Sequence, residues 1–223
     1  MTGDLGGTSP LTRLRRLPEK AAYDEATIYG IVDATSVCHV ATVLDEQPIV
    51  LPSLHVRHED TLLLHGSRSS RLLRAMVSAP SVCVSVTVVD GLVVARSTFE
   101  SSVAFRSAVL FGPAELVEDP IERSMALDRL VEGLLPGRTS EVRPSTPEEL
   151  RRTSVVRVRI VEASAKVSEG PPEDGPDDVA GSAWAGVVPL EARWGTPVPA
   201  TDGAVGRGEV PVPESVLRLA DPW

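Results

Sequence analysis

Nowhere does this chain approach the roughly 20 consecutive apolar residues of a membrane-spanning helix, so no membrane association is expected. Its opening stretch, MTGDLGGTSPLTRLRRLPEK, has nothing like the roughly 7–15-residue apolar core of a secretory signal, and a cytoplasmic location is expected. Positive charge is also scarce. The 22 Lys and Arg residues face 31 Asp and Glu, a formal net charge of −9, which repels polyanions and argues against nucleic acid as a partner. There are two cysteines, Cys38 and Cys83, both inside apolar strand-like runs, which predicts buried free thiols rather than a disulfide or a metal pair. Of the histidines, His55 and His58 stand close together and His39 adjoins Cys38. A strand would send Cys38 and His39 to opposite faces, so the three or four convergent donors of a zinc site are missing and no metal is expected. No P-loop, dinucleotide fingerprint, Ser-His-Asp or Cys-His constellation is present.

What is present is an ordinary folded composition, 42% apolar and 24% charged, in 223 residues, enough for one domain with extensions. Residues 23–35 read as a short amphipathic helix with Asp24 as cap. The runs 36–44, 48–57 and 60–66 are rich in branched aliphatics and read as an antiparallel meander, followed by a short helix over 70–79 ended by Pro80. The Asp90-Gly91 pair between SVCVSVTVV and LVVARSTF predicts a tight hairpin turn. Residues 105–117 read as a strand broken near Gly112-Pro113, and 119–135 as a helix capped by Asp119 with Pro120 at its first position. PSTPEELRRT suggests another capped turn of helix, and SVVRVRIVEASAKV alternates as one long last strand. About seven strands with short helices make the fold class mainly β, a closed or nearly closed antiparallel barrel, with a sandwich as the competing architecture. From residue 168 the run SEGPPEDGPDD is too rich in Pro, Gly and acid for regular structure, yet it leads to two tryptophans, Trp184 and Trp194.

One stretch stands out chemically. In LLLHGSRSSRLLRAM an apolar strand runs directly into His65, Gly66, Ser67, Arg68, Ser69, Ser70 and Arg71, and then into a helical period. A strand feeding a helix whose first turn carries hydroxyls and guanidiniums offers unpaired N–H groups and positive charge to one point, the outline of a phosphate site. The competing reading gives Ser69 or Ser70 a capping role and leaves Arg68, Arg71 and Arg74 as solvated surface charges.

The segments CHVATV, LPSLH, LLLHGSRSSRLLRA, VCVSVTVVDGLVVARS, FRSAVLFGPAELVED, LLPGR and WAGVVPL resemble, in order and spacing, the flavin-nucleotide-binding branch of the pyridoxamine 5′-phosphate oxidase-like family, which includes nitroimidazole-resistance-type proteins. The resemblance runs from about Arg13 to the last Pro-rich segment. It implies a six- or seven-stranded split β-barrel over residues 13–168, a flexible lead over 1–12, and an extension over 169–223 that contributes Trp184. It also implies a homodimer with FMN at the interface. Carried over residue by residue, Ser67, Arg68, Ser69 and Arg71 would cradle the FMN phosphate. Pro52 and Ser53 would lie along the isoalloxazine, with Val40, Ala41 and Thr42 at the ring edge. Arg96, Arg106, Ser107 and Trp184 would approach the flavin, the last three from the partner subunit. His65 is the catalytic candidate. Against each stands a plainer role: Arg96 and Arg106 pairing with acids, Trp184 covering apolar surface, His65 ending a strand. Members that oxidise pyridoxamine phosphate carry a carboxy-terminal Arg-x-His, where this chain has EARWGTP. The resemblance therefore implies an FMN-binding oxidoreductase that acts on another small molecule by hydride transfer. Non-catalytic flavin binding is the alternative, as is haem binding through His65 or His55; the deazaflavin F420 suits the serine-arginine turn less well.

Overall fold

The computed structural model describes residues 3–220; residues 1 and 2 of the expected flexible lead, and 221–223 of the extension, lie outside the described residues. In its described part the lead runs against the domain. Leu5 donates its N–H to the Tyr23 carbonyl (2.8 Å) and accepts from the Ala163 N–H (2.8 Å), and Thr12 is buried.

Beyond a turn of 3-10 helix come β1 (Ala21–Ala22) and α1 (Glu25–Asp33), where the Asp24 side chain accepts from the Thr27 N–H and Ile28, Ile31 and Val32 face the core. There follow β2 (Val37–Leu44), β3 (Gln47–Leu54), β4 (Val56–His58), β5 (Thr61–Ser67), α2 (Arg71–Ser78), β6 (Val82–Val94), β7 (Ser102–Gly112) and β8 (Ala114–Leu116). The chain continues through α3 (Pro120–Leu134), α4 (Pro147–Arg152), β9 (Thr153–Arg159), β10 (Glu162–Ser168), α5 (Pro176–Val179), β11 (Gly186–Pro189), α6 (Gly203–Gly206) and α7 (Glu214–Ala220). The expected caps form: Asp119 accepts from the N–H groups of Ile121 and Glu122, and Thr146 and Glu149 make a reciprocal capping box.

The strands form two antiparallel sheets. One has the order β1-β10-β7-β6-β2-β3 with β11 added to β6, and the other the order β4-β5-β9-β8. Three strand runs, the second already expected to break near Gly112-Pro113, each cross from one sheet to the other. The 48–57 run divides at His55, the 105–117 run at Pro113 and the last run at Ile160-Val161. Because continuous chain joins the two sheets three times, the architecture is a split barrel and not a sandwich. The expected meander is corrected accordingly: β3 pairs with β2 and β4 with β5, but β3 and β5 belong to different sheets.

The Asp90-Gly91 turn is also corrected. β6 runs straight through this pair with a register shift between Val89 and Gly91, and the hairpin to β7 closes beyond Val94. Gly91 is needed for closeness and not for a turn. A Cβ there would lie 2.5 Å from the Val188 carbonyl of β11, which pairs with this end of β6. The extension thus supplies a strand of the large sheet, docked at a bulge.

The main core lies between the sheets. It gathers Val40 of β2, Leu62 and Leu64 of β5, Val84 and Val86 of β6, Leu110 of β7 and Val156 and Val158 of β9 beneath α1 and α2. A smaller core on the outer side of β5 and β9 packs Leu63 and Val155 against Ala126 and Leu130 of α3. β5 is therefore covered on both faces, which is why its sequence is an unbroken apolar run.

Candidate functional site

β5 delivers its end to α2 through the segment that stood out in the sequence. Gly66 pairs with Ser154 and Ser67 with Thr153 on β9, and the Arg68 N–H then donates to the Arg152 carbonyl (3.2 Å). Ser70 is the helix cap, its hydroxyl accepting from the Leu73 N–H (3.3 Å). Capping therefore occupies Ser70 alone. Ser67 and Ser69 are exposed with their hydroxyl oxygens 2.9 Å apart. Gly66 makes room for the helix: a Cβ there would meet Leu73 Cδ1 at 3.2 Å. The ten ion pairs among the described residues include none of Arg68, Arg71 or Arg74. In a chain of net charge −9, three guanidiniums without a carboxylate, beside two exposed hydroxyls hydrogen-bonded to each other and the first turn of a helix, form a donor set suited to an anion.

The other candidates fall into two groups. β2 and β3 bring Val40, Ala41 and Thr42 together with Pro52 and Ser53 on adjacent strands, and α2 packs against β2. The Val40 side chain is in the core, so this position presents only backbone, already shared between β3 and β6. The Thr42 hydroxyl is buried with no hydrogen-bond partner among the described residues. Pro52 lies exposed on the edge strand β3, beside half-buried Ser53.

Arg96, Arg106, Ser107 and Trp184 belong to the opposite end of the β6-β7 hairpin and its surroundings. Arg106 makes a two-pronged ion pair with Asp90 (both contacts 2.9 Å), which holds the Asp90 carboxyl below its ordinary range. Asp174, from the acidic run after β10, is buried under Arg96 and accepts from its N–H (2.8 Å) and its guanidinium (2.9 Å). Both arginines thus have acidic partners within the chain. Ser107 is half-buried in β7, opposite Thr87 and Lys166. Trp184 is 66% exposed just before β11. No hydrogen bond or ion pair among the described residues joins this group to the serine-arginine corner. Sequence reasoning missed Asp90 and Asp174 as partners, because nothing local marks an acid 16 or 78 residues away from its arginine.

Of the histidines, His65 is exposed at the end of β5, opposite Val155. His55 is 2% exposed at a sheet crossing, with Nε2 3.0 Å from the Val32 carbonyl and Nδ1 buried without a partner. Burial lowers its pKa, opposed by the Val32 hydrogen bond and the Asp33 charge. The unfolded state then takes up a proton that the fold excludes, so stability is full above the unfolded value of about 6.5 and falls as pH drops below it. Urea midpoints measured between pH 7.5 and 5 are expected to fall further for the wild type than for His55→Gln, which keeps a donor for Val32 but cannot titrate. Cys38 is buried, its thiol pushed up to about 12 by burial, and Cys83 is raised for the same reason; both are free. No cluster of three or more metal-ligating side chains occurs among the described residues, and no helix there is long and apolar enough to cross a membrane.

Known proteins share this fold. A family model described as pyridoxamine 5′-phosphate oxidase matches residues 24–167. The flavocytochrome Anf3 from Azotobacter vinelandii is similar at 36% identity and a TM-score of 0.89, covering 95% of this chain and 97% of that one. The FAD and haem binding protein from Mycobacterium smegmatis is similar at 40% identity and a TM-score of 0.85, covering 90% and 97%. A proposed 5-nitroimidazole antibiotic resistance protein from Bacteroides thetaiotaomicron shares the fold at 23% identity and a TM-score of 0.56, over 66% of this chain and 86% of that one. No protein of curated description matches by sequence.

Proposed function

This chain belongs to the pyridoxamine 5′-phosphate oxidase family, and on that premise we propose that it is a flavin-binding redox protein whose Ser67-Arg71 corner holds a flavin phosphate. The observation that carries this reading is the corner itself: guanidiniums without acid partners among the described residues and two exposed hydroxyls, hydrogen-bonded only to each other, stand together at a helix start in an acidic protein. A bound flavin supplies hydride and single-electron transfer, and a haem single-electron transfer. The chain's own residues position and shield: Arg68 and Arg71 neutralise the phosphate, and β2 and β3 offer a flat wall for a ring. The exposed apolar residues Val37, Val43 and Val50 on these strands support a homodimer that closes over that wall, bringing the partner subunit's Arg106, Ser107 and Trp184 toward it.

The corner alone is satisfied by FMN. Near full-length similarity to a protein named for FAD and haem favours FAD, and with it a haem. His65 would be the residue to hold a haem iron, being exposed with a side chain that makes no hydrogen bond among the described residues. His55 would not, since one ring nitrogen meets Val32 and the other is buried. The same exposure makes His65 the group placed to meet a small-molecule substrate.

The visible spectrum of purified protein tests the reading, with the released flavin identified by mass spectrometry. Flavin bands are expected, with a Soret band that His65→Ala removes while the flavin bands remain. Anaerobic NADH or NADPH is expected to bleach the flavin bands. Colourless folded protein that takes up neither FMN nor FAD would overturn the proposal.

A further inference from the structure

The basic residues of this chain are not spread evenly. Ten of the 22 Lys and Arg residues make ion pairs among the described residues, and five of the other twelve stand together. Arg68 connects them. Its N–H donates to the Arg152 carbonyl (3.2 Å) and its guanidinium to the Arg151 carbonyl (3.5 Å), which sets the last turn of α4 against the serine-arginine corner. Arg71 and Arg74 follow on the first turn of α2, and Arg74 shares with Arg68 a groove of about 310 Å³ whose lining holds no carboxylate. All five arginines are exposed. The acids of α4 sit at its other end, Glu148 and Glu149 in the first turn, with Glu149 held by Arg143 (2.6 and 2.9 Å). Basic residues in a last turn answer the helix dipole, which accounts for Arg151 and Arg152 by themselves but not for their meeting three more guanidiniums. Like charges so gathered repel one another, and an acidic surface laid over them relieves that repulsion.

Composition narrows the occupant. The groove offers no aromatic side chain on which a nucleic-acid base could stack, and the net charge of −9 repels a long polyanion. The apolar contribution is small: Val77 and Leu116, 40% and 43% exposed, line the groove with the arginines. A charged patch with little apolar area suits a transient encounter, and electron-transfer encounters belong to the smallest class of interface, below about 1,200 Å² of buried surface. Position narrows it further. The patch includes the corner assigned to the flavin phosphate, so a partner seated on it adjoins the cofactor, and it lies on α2, α4 and the groove beside β8 and β9, outside the β2 and β3 wall assigned to the homodimer. We propose that this five-arginine face docks a small acidic electron-carrier protein that delivers electrons to the flavin. Arg68 and Arg71 are shared with the phosphate, and Arg74, Arg151 and Arg152 meet the carrier's carboxylates. Each encounter oxidises one carrier by one electron; two encounters supply the two electrons of the flavin, with protons taken from water. The inference rests on the flavin reading above and names a protein donor for that site alongside the nicotinamides.

Arg151 and Arg152 separate the claims, because their side chains touch neither the corner serines nor the groove. Holoprotein is mixed anaerobically in a stopped-flow instrument with a reduced plant-type two-iron ferredoxin and, separately, with a reduced flavodoxin, both acidic carriers, and bleaching of the flavin bands is followed. The rate constant is expected to fall at least about tenfold between roughly 0.05 and 0.5 M salt, a range over which attraction between exposed charges is screened. Arg151→Gln/Arg152→Gln is expected to lower the low-salt rate about tenfold, with flavin content, melting midpoint and the rate of bleaching by dithionite unchanged. Arg151→Lys/Arg152→Lys, which keeps both charges, is expected to retain most of the carrier rate. A carrier rate indifferent to salt and to the Gln variant, or a flavin that dithionite bleaches and neither carrier does, would overturn the docking face while leaving the flavin reading in place. So would tight binding of a short DNA duplex that the Gln variant loses, which would give the face to nucleic acid. Protein with no flavin to bleach would remove both.

Discussion

Replacing Arg68 and Arg71 together by alanine is expected to weaken flavin binding by about 100-fold or more, while the protein's thermal midpoint moves by no more than a degree or two. Hydrogen bonds to charged groups contribute roughly 1.5–3 kcal/mol each, and losing two from one phosphate multiplies the effect on affinity. The fold is expected to tolerate the change because both side chains are exposed and neither has an acid partner among the described residues. The structural part of Arg68 is its backbone, which alanine retains: the N–H bonded to Arg152. Lysine at both positions should recover only part of the affinity, because an ammonium cannot grip a phosphate with two parallel bonds. Fluorescence titration of cofactor-free protein measures the loss, and differential scanning calorimetry checks the fold. Unchanged affinity in the double variant would mean that the corner is a solvated surface and that the flavin phosphate is held elsewhere.

The largest effect on stability is expected at Gly112. A Cβ at this position would lie 1.7 Å from the Arg159 carbonyl oxygen, a backbone atom that no rotamer change can move aside. The residues on either side explain the closeness. Phe111 accepts from the Val161 N–H (2.9 Å) and Pro113 from the Arg159 N–H (3.2 Å), so two strand runs cross between the sheets at the same place and are bonded to each other there. Separating them for a methyl group would strain both crossings. Overpacking typically costs about 1–3 kcal/mol, and with backbone on the receiving side the upper end or beyond is expected. In a chain of this size each kcal/mol lowers the midpoint by roughly 2–4 °C, so Gly112→Ala should melt about 6–12 °C lower or fail to accumulate as soluble protein. Gly195→Ala is the control, because a Cβ there meets nothing within 4 Å. A Gly112→Ala protein that melts with the wild type would show that the crossing relaxes freely.

These two sites mark the reach of the sequence. Caps, turns of helix and strand runs follow from neighbours within a few residues. Asp24 and Asp119 could therefore be placed by inspection, and so could the capped turn in PSTPEELRRT and the unusual serine-arginine seam, whose parts are contiguous. The alternating pattern that makes a strand is blind to which sheet the strand joins. The 154–167 run keeps its apolar period on both sides of a crossing, since both halves face the same core, and so read as one strand, as did 48–57; the 105–117 run, with both halves on that core too, read as one strand bulged or broken near Gly112-Pro113.

By itself the sequence determined the class of fold, the positions of α1 to α4 and the contiguous make-up of the serine-arginine corner, because short-range hydrogen bonding and hydrophobic period set all three. α5, which begins inside the Pro-, Gly- and acid-rich run expected to lack regular structure, α6 and α7 had no such signal. Only the tertiary structure decided the partners of the charged groups. Asp90 and Asp174 reach Arg106 and Arg96 across distant segments, Gly91 proves to be the seat of β11 and not a turn, and Ser154 and Leu116 arrive beside Arg74 from β9 and β8. Ion pairs and grooves depend on which surfaces meet when strands cross between sheets, and that is fixed by long-range packing of the shared core.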